Sequence, residues 1–108
     1  MIDNPKLTAE LLAKMEAGLP LPALITPRLA EVQRKQAPET PIPKKYDMIA
    51  IYDSEDEGGI ICKLEVQESA EVLVTSITHL DFDHRLPLAR EISAYKKRRI
   101  KKLNRLAG

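Results

Sequence analysis

The stretch from Tyr46 to Val66, YDMIAIYDSEDEGGIICKLEV, limits the folds open to this chain more than any other part of it. Tyr46–Asp53 is a run of strand-forming residues. Gly59–Val66 alternates, with Ile60, Cys62, Leu64 and Val66 on one face and Lys63 and Glu65 on the other. The acidic turn between them ends in Gly58 and Gly59, residues that adopt positive φ without penalty. Two such runs joined by a short turn pair antiparallel. A third run, EVLVTSIT (Glu71–Thr78), follows the short turn Gln67–Ala70, so the segment predicts a three-stranded antiparallel meander. The outer two runs are apolar on both faces: Ile49 and Ile51 against Met48, Ala50 and Tyr52, and Val72 and Val74 against Leu73 and Ile77. One helix covers only one face of such a sheet. The N-terminal arm or a second copy of the chain must cover the other, which points to a homodimer.

The flanks read as helices. Leu7, Leu11, Leu12 and Met15 mark a short amphipathic helix, with Thr8 as its expected N-cap and Gly18 just past its end. Pro20 and Pro22 favour an extended path after it. Thr26-Pro27 is a capping hydroxyl followed by proline at the first helical position, and predicts a second short helix with Leu29 and Val32 facing inward. Pro38, Pro41 and Pro43 then make a stiff connector, or a docking ligand for a partner. A helix-turn-helix is excluded, because Pro20 and Pro22 interrupt the place where its second helix belongs. At the other end a long helix is predicted from about Pro87 to Arg105, with an apolar stripe of Leu88, Ile92, Tyr95 or Lys96, Ile100, Leu103 and Ala107.

At 108 residues the chain fits one domain, with residues 1–44 as helical arm and linker and residues 45–108 as a β-β-β-α unit. Its aromatics are Tyr46, Tyr52, Phe82 and Tyr95, so the core must be aliphatic. A single cysteine, Cys62, forms no internal disulfide and sits on the apolar face of its strand, where a buried, inert thiol is expected. No apolar run has signal-peptide or membrane-span length, so the expectation is a cytoplasmic protein without membrane contact.

Charge is segregated along the chain. Residues 45–84 hold two basic and ten acidic residues, and residues 85–108 hold nine basic and one acidic, within a total net charge of +1. KKRRIKKLNR (Lys96–Arg105) carries seven cations in ten positions. On a helix Lys97 stacks over Lys101, Arg98 over Lys102 and Lys101 over Arg105. Each like-charge pair costs about 0.2–0.5 kcal/mol unless anions lie opposite. Those anions are either nucleic-acid phosphates or carboxylates of a protein surface, the acidic sheet included. Lys96, Lys97, Arg98, Arg99, Lys101, Lys102 and Arg105 are therefore the candidate nucleic-acid-binding residues, with RNA or DNA or a protein as partner. There is no paired-aromatic RNA-binding motif, GXXG loop or zinc-finger spacing, so sequence selectivity is not expected.

Three catalytic or metal patterns are incomplete. Asp53, Glu55, Glu57 and Gly58 follow a calcium-loop spacing, but Leu64 stands where a bidentate Glu is needed. Asp53 and Lys63 suit a metal-dependent nuclease core, but Ile61 replaces its second carboxylate. HLDFDH (His79–His84) departs from the HxHxDH signature of metallo-β-lactamase-like hydrolases, with Asp81 in place of the middle histidine. In an extended segment His79, Asp81 and Asp83 share one side, with His84 on the other, and three such groups could hold a divalent cation. The simpler reading makes Asp83 cap or precede the N-terminus of the C-terminal helix, with Leu80 and Phe82 in the core.

The expected fold is α+β: short N-terminal helices, a three-stranded antiparallel meander, and a long basic amphipathic helix packed on it. The expected function is a small non-enzymatic binding protein, without cofactor, whose basic helix contacts nucleic acid non-specifically. The alternative is a protein–protein interaction or regulatory module whose acidic sheet and basic helix complement each other. A metal-dependent nuclease or hydrolase ranks last.

Overall fold

A computed structural model describes residues 4–39, 41–43, 45–54, 58–66 and 72–107. The fold is α+β. Its elements are α1 (Pro5–Ala17), β1 (Leu21–Ile25), α2 (Pro27–Gln36), β2 (Tyr46–Asp53), β3 (Ile60–Glu65), β4 (Val72–Ser76), a 3₁₀ turn (Ile77–His79), β5 (Leu80–Asp81) and α3 (Ala89–Ala107). The predicted meander β2–β3–β4 forms, but it is three strands of a five-stranded antiparallel sheet in the order β4–β3–β2–β1–β5.

The expectation of three strands fails at β1, which contains Pro22. Proline is excluded from the middle of a sheet because it has no N–H to donate. Here Pro22 pairs with Asp47 of β2, while β5 pairs only with Leu24 and Ile25. Beside Pro22 the strand is thus a local edge. The N–H of Thr26 donates to the carbonyl of His79 at 3.0 Å, which holds the 3₁₀ turn and β5 against the end of β1.

A bulge sets which side of β2 faces in. Met48 pairs with Leu64 and Ala50 with the adjacent Lys63, so Ile49 is the extra residue. Plain alternation groups Ile49 with Ile51. The bulge instead puts Met48 and Ile51 on the buried face and leaves Ile49 and Tyr52 exposed. That buried face, with Ala23, Tyr46, Ile60, Cys62, Leu64, Ile77 and Leu80, forms one core with Leu11 and Met15 of α1 and Ile92 and Tyr95 of α3. Each such aliphatic side chain gains about 1.5–3 kcal/mol on full burial. The opposite face is uncovered: Ile49, Tyr52, Val72 and Val74 remain 36–52% exposed.

The helix ends differ from expectation. Asn4, not Thr8, caps α1: its Oδ1 accepts from the N–H groups of Lys6 and Leu7 at 3.1 and 3.2 Å, ahead of Pro5. Thr8 lies within the helix on its buried face, and Leu7 is exposed. Thr26 caps α2 as predicted, its Oγ1 accepting from Leu29 N–H at 3.3 Å. The inward Val32 does not materialise. Val32 is exposed, Leu29 only half-buried, and α2 buries no residue. The Gln67–Ala70 turn lies outside the described residues.

α3 docks through Gly59. This residue has φ +69°, and a Cβ there would collide with the Tyr95 hydroxyl and come within 2.9 Å of the Arg99 guanidinium carbon. The Tyr95 Oη accepts from Ile60 N–H at 3.1 Å, and Tyr95 and Arg99 are 2% and 3% exposed. The bare Cα of Gly59 is what lets two large polar side chains reach the start of β3. Gly59→Ala combines a left-handed backbone cost of about 1–2 kcal/mol with overpacking, and should destabilise by at least ~2 kcal/mol. Tyr95→Phe orphans a buried N–H and should lose about 1–3 kcal/mol. Urea denaturation reads both. Stability within 0.5 kcal/mol of the unsubstituted chain for both variants, itself about the scatter of surface substitutions, would contradict this docking.

Candidate functional site

α3 sorts the seven candidate cations into two groups. Its buried positions are Ile92, Tyr95 and Arg99, spaced by three and four, with Leu88 and Lys96 half-buried beside them. Arg99 therefore faces the sheet, not solvent. Among the described residues no buried side-chain nitrogen or oxygen lacks a hydrogen-bond partner, so its guanidinium is satisfied there. The Lys96 ammonium donates to the Leu80 carbonyl and lies 3.4 Å from Asp81 Oδ1, with its side chain 17% exposed. Both residues hold α3 to the fold.

The other five cations point away from the core. Lys97, Arg98, Lys101 and Arg105 are exposed and Lys102 is half-buried, with exposed Arg90 two turns earlier on the same outer side. None of these forms an ion pair with a described acid. From Ile100 to Leu106 the helix buries no residue: Ile100, Leu103 and Leu106 are 44, 37 and 73% exposed. The last two turns thus overhang the core and carry their cations clear of it. At the other end Lys14 of α1 binds Glu91 at 2.9 Å, which fixes the start of α3 and places a carboxylate in its first turn.

Half of the acids of residues 45–84 cannot be assigned to the sheet surface. Glu55, Asp56, Glu57, Glu68 and Glu71 fall outside the described residues, and with Glu55 and Glu57 goes most of the calcium-loop pattern. Asp47, Asp53 and Glu65 lie on strands, and Asp81 is engaged by Lys96. Asp53 follows the inner phase of β2, opposite Ile60, whereas Lys63 points to the outer face opposite Ala50. The two halves of the nuclease pattern are on opposite sides of the sheet.

The structure does not gather His79, Asp81 and Asp83. His79 is in the 3₁₀ turn, so the alternation that aligns the three is absent. Asp81 contacts Lys96. Asp83 binds Arg85, whose Nη2 donates at 2.7 Å and whose backbone N–H donates at 2.9 Å. Among the described residues no three His, Cys, Asp or Glu side chains come together as a metal site. Of the expectation that Asp83 caps or precedes α3, only the second half holds, because that helix starts at Ala89. Asp83 closes its own turn, with Leu86 N–H donating to its carbonyl. His84 lies 3.8 Å from Asp83 and is almost fully exposed. Cys62 is buried, and desolvation pushes its thiol up to about 12, which makes it a poor nucleophile.

No protein-family model, curated protein or solved structure matches this chain. No described helix is long and apolar enough to cross a membrane.

The side-chain and then the backbone hydrogen bonds from Arg85 hold the Asp83 carboxyl well below the usual carboxylate range. A carboxyl depressed on folding contributes stability above its unfolded pKa of about 3.9, and that contribution is lost as pH falls. In an NMR titration Asp83 should stay ionised at pH 3, and Arg85→Ala should restore an ordinary midpoint near 4. An ordinary midpoint in the unsubstituted chain would contradict the pair.

Proposed function

We propose that this chain is a small non-enzymatic binding protein whose outward α3 cations engage the phosphate backbone of RNA or DNA without sequence selectivity. The observation that carries the reading is the set Lys97, Arg98, Lys101, Lys102 and Arg105, turned away from the core on an overhanging helix and unpaired with any described acid. A helix with this charge density repels itself, and phosphates relieve the repulsion. Base selectivity has no support: Tyr95, the aromatic nearest the run, is buried and cannot stack on a base. The alternative, in which the basic helix satisfies acids of its own sheet, is supported by Lys96 with Asp81 and by the inward, satisfied guanidinium of Arg99.

Affinity for an arbitrary duplex should fall steeply with salt. With four to five phosphate contacts at ~0.9 each, the slope of log K against log salt is about −4. Lys97→Ala with Lys101→Ala should flatten it by about 2, while Lys14→Ala and Lys35→Ala leave it unchanged. Absence of binding at low salt, or an unchanged slope in the double variant, would refute the proposal. Preference for an acidic protein over the duplex would favour the alternative.

A further inference from the structure

The two edges of the sheet are treated differently. The β5 edge is two residues long, and the Lys96 side chain occupies its Leu80 carbonyl beside Asp81. Short edge strands and lysine are standard guards against strand pairing. The other edge, β4, has no such guard. It runs VLVTS over Val72–Ser76, without charge, proline or bulge, and pairs only with β3. Among the described residues nothing hydrogen-bonds to the backbone of its outer edge. Val72 and Val74 are 50% and 52% exposed on the uncovered sheet face, with Glu65 and Lys63 of β3 beside them and Ile49 and Tyr52 of β2 farther across it.

A bare backbone edge accepts one kind of occupant, another strand. We infer that the occupant is β4 of a second copy of this chain, paired antiparallel across a two-fold axis near Val74, so that two five-stranded sheets become one. The strand is self-complementary for this. On the uncovered face Val74 meets its symmetry mate and Val72 meets Ser76; on the other face Leu73 meets Thr75. No like charges are brought together within the pair. Lys63, the cation beside Val74 on β3, ends three strand spacings from its mate, about 14 Å, which exceeds the ~8 Å screening length at physiological salt. Self-pairing through the overhanging ends of α3 would instead oppose two dense arrays of cations. An axis perpendicular to the joined sheet also puts both α3 helices on the same side. That last consequence offers a bivalent phosphate-binding surface and rests on the reading above; the dimer itself does not.

Light scattering on the full chain, with no nucleic acid present, tests the pairing. The monomer mass is 12.1 kDa, so the unsubstituted chain should run at about twice that at micromolar concentration. Val74→Lys should run as a monomer with an unchanged circular dichroism spectrum, and Leu106→Lys should stay dimeric. A monomeric unsubstituted chain at several hundred micromolar, or a dimeric Val74→Lys, overturns the inference. Hydrogen exchange of the unsubstituted chain gives an independent reading should Val74→Lys fail to fold. Amides within Val72–Ser76 should be protected at high concentration and exchange on dilution, and concentration-independent exchange overturns the inference.

Discussion

The close approach of Tyr95 and Arg99 to Gly59 determines how this molecule is arranged. A side chain at position 59 would occupy the space that these two groups fill. Because the tyrosine hydroxyl reaches the first N–H of β3, the rotation of α3 about its own axis is fixed by a hydrogen bond as well as by packing. Once Ile92, Tyr95 and Arg99 face in, helical geometry leaves no choice for the rest. Lys97, Arg98, Lys101 and Arg105 face out. The placement of the cations is therefore a consequence of a glycine in a hairpin 38–46 residues earlier in the chain.

The same contact explains why the sheet is one-sided. α1 and α3 share one core, and the Lys14–Glu91 ion pair joins them across it. An exposed ion pair of this kind contributes at most about 1 kcal/mol, so it positions the helices more than it stabilises them. With both helices on one face, the bulge at Ile49 turns Met48 and Ile51 toward them and leaves Ile49, Tyr52 and the valines of β4 in water. The uncovered face and the unguarded β4 edge follow from where the helices went. The proposed self-pairing rests on them and not on the helix cations.

Much of this was legible in the chain. Tyr46–Asp53 and the alternation of Ile60, Cys62 and Leu64 marked β2 and β3, and Thr26-Pro27 marked the start of α2. β1 was hidden because Pro20 and Pro22 argue against a strand. What rescues it, an absent neighbour beside Pro22, is a tertiary fact. β5 is too short for any periodic signal. The bulge at Ile49 reverses the phase of β2 and carries no turn residue to announce it. Asn4-Pro5 carries the same cap-then-proline signal as Thr26-Pro27, one turn ahead of Thr8. Among the candidate cations, the spacing Leu88, Ile92, Tyr95, Arg99 is as regular as the stripe through Ile100. Only an arginine stood in it, and charge argued for solvent. The aspartates of HLDFDH are each committed to a cation of their own, Asp81 to Lys96 and Asp83 to Arg85.

The orientation of α3 is the central claim, and chemical modification of arginine reads it directly. Phenylglyoxal labelling of the native chain, followed site by site by mass spectrometry, should modify Arg98 and Arg105 readily and leave Arg99 protected until the chain is denatured. Labelling of Arg99 in the native chain at the rate of Arg98 would contradict the account, because it would place the buried guanidinium, and with it the inward face of the helix, in solvent.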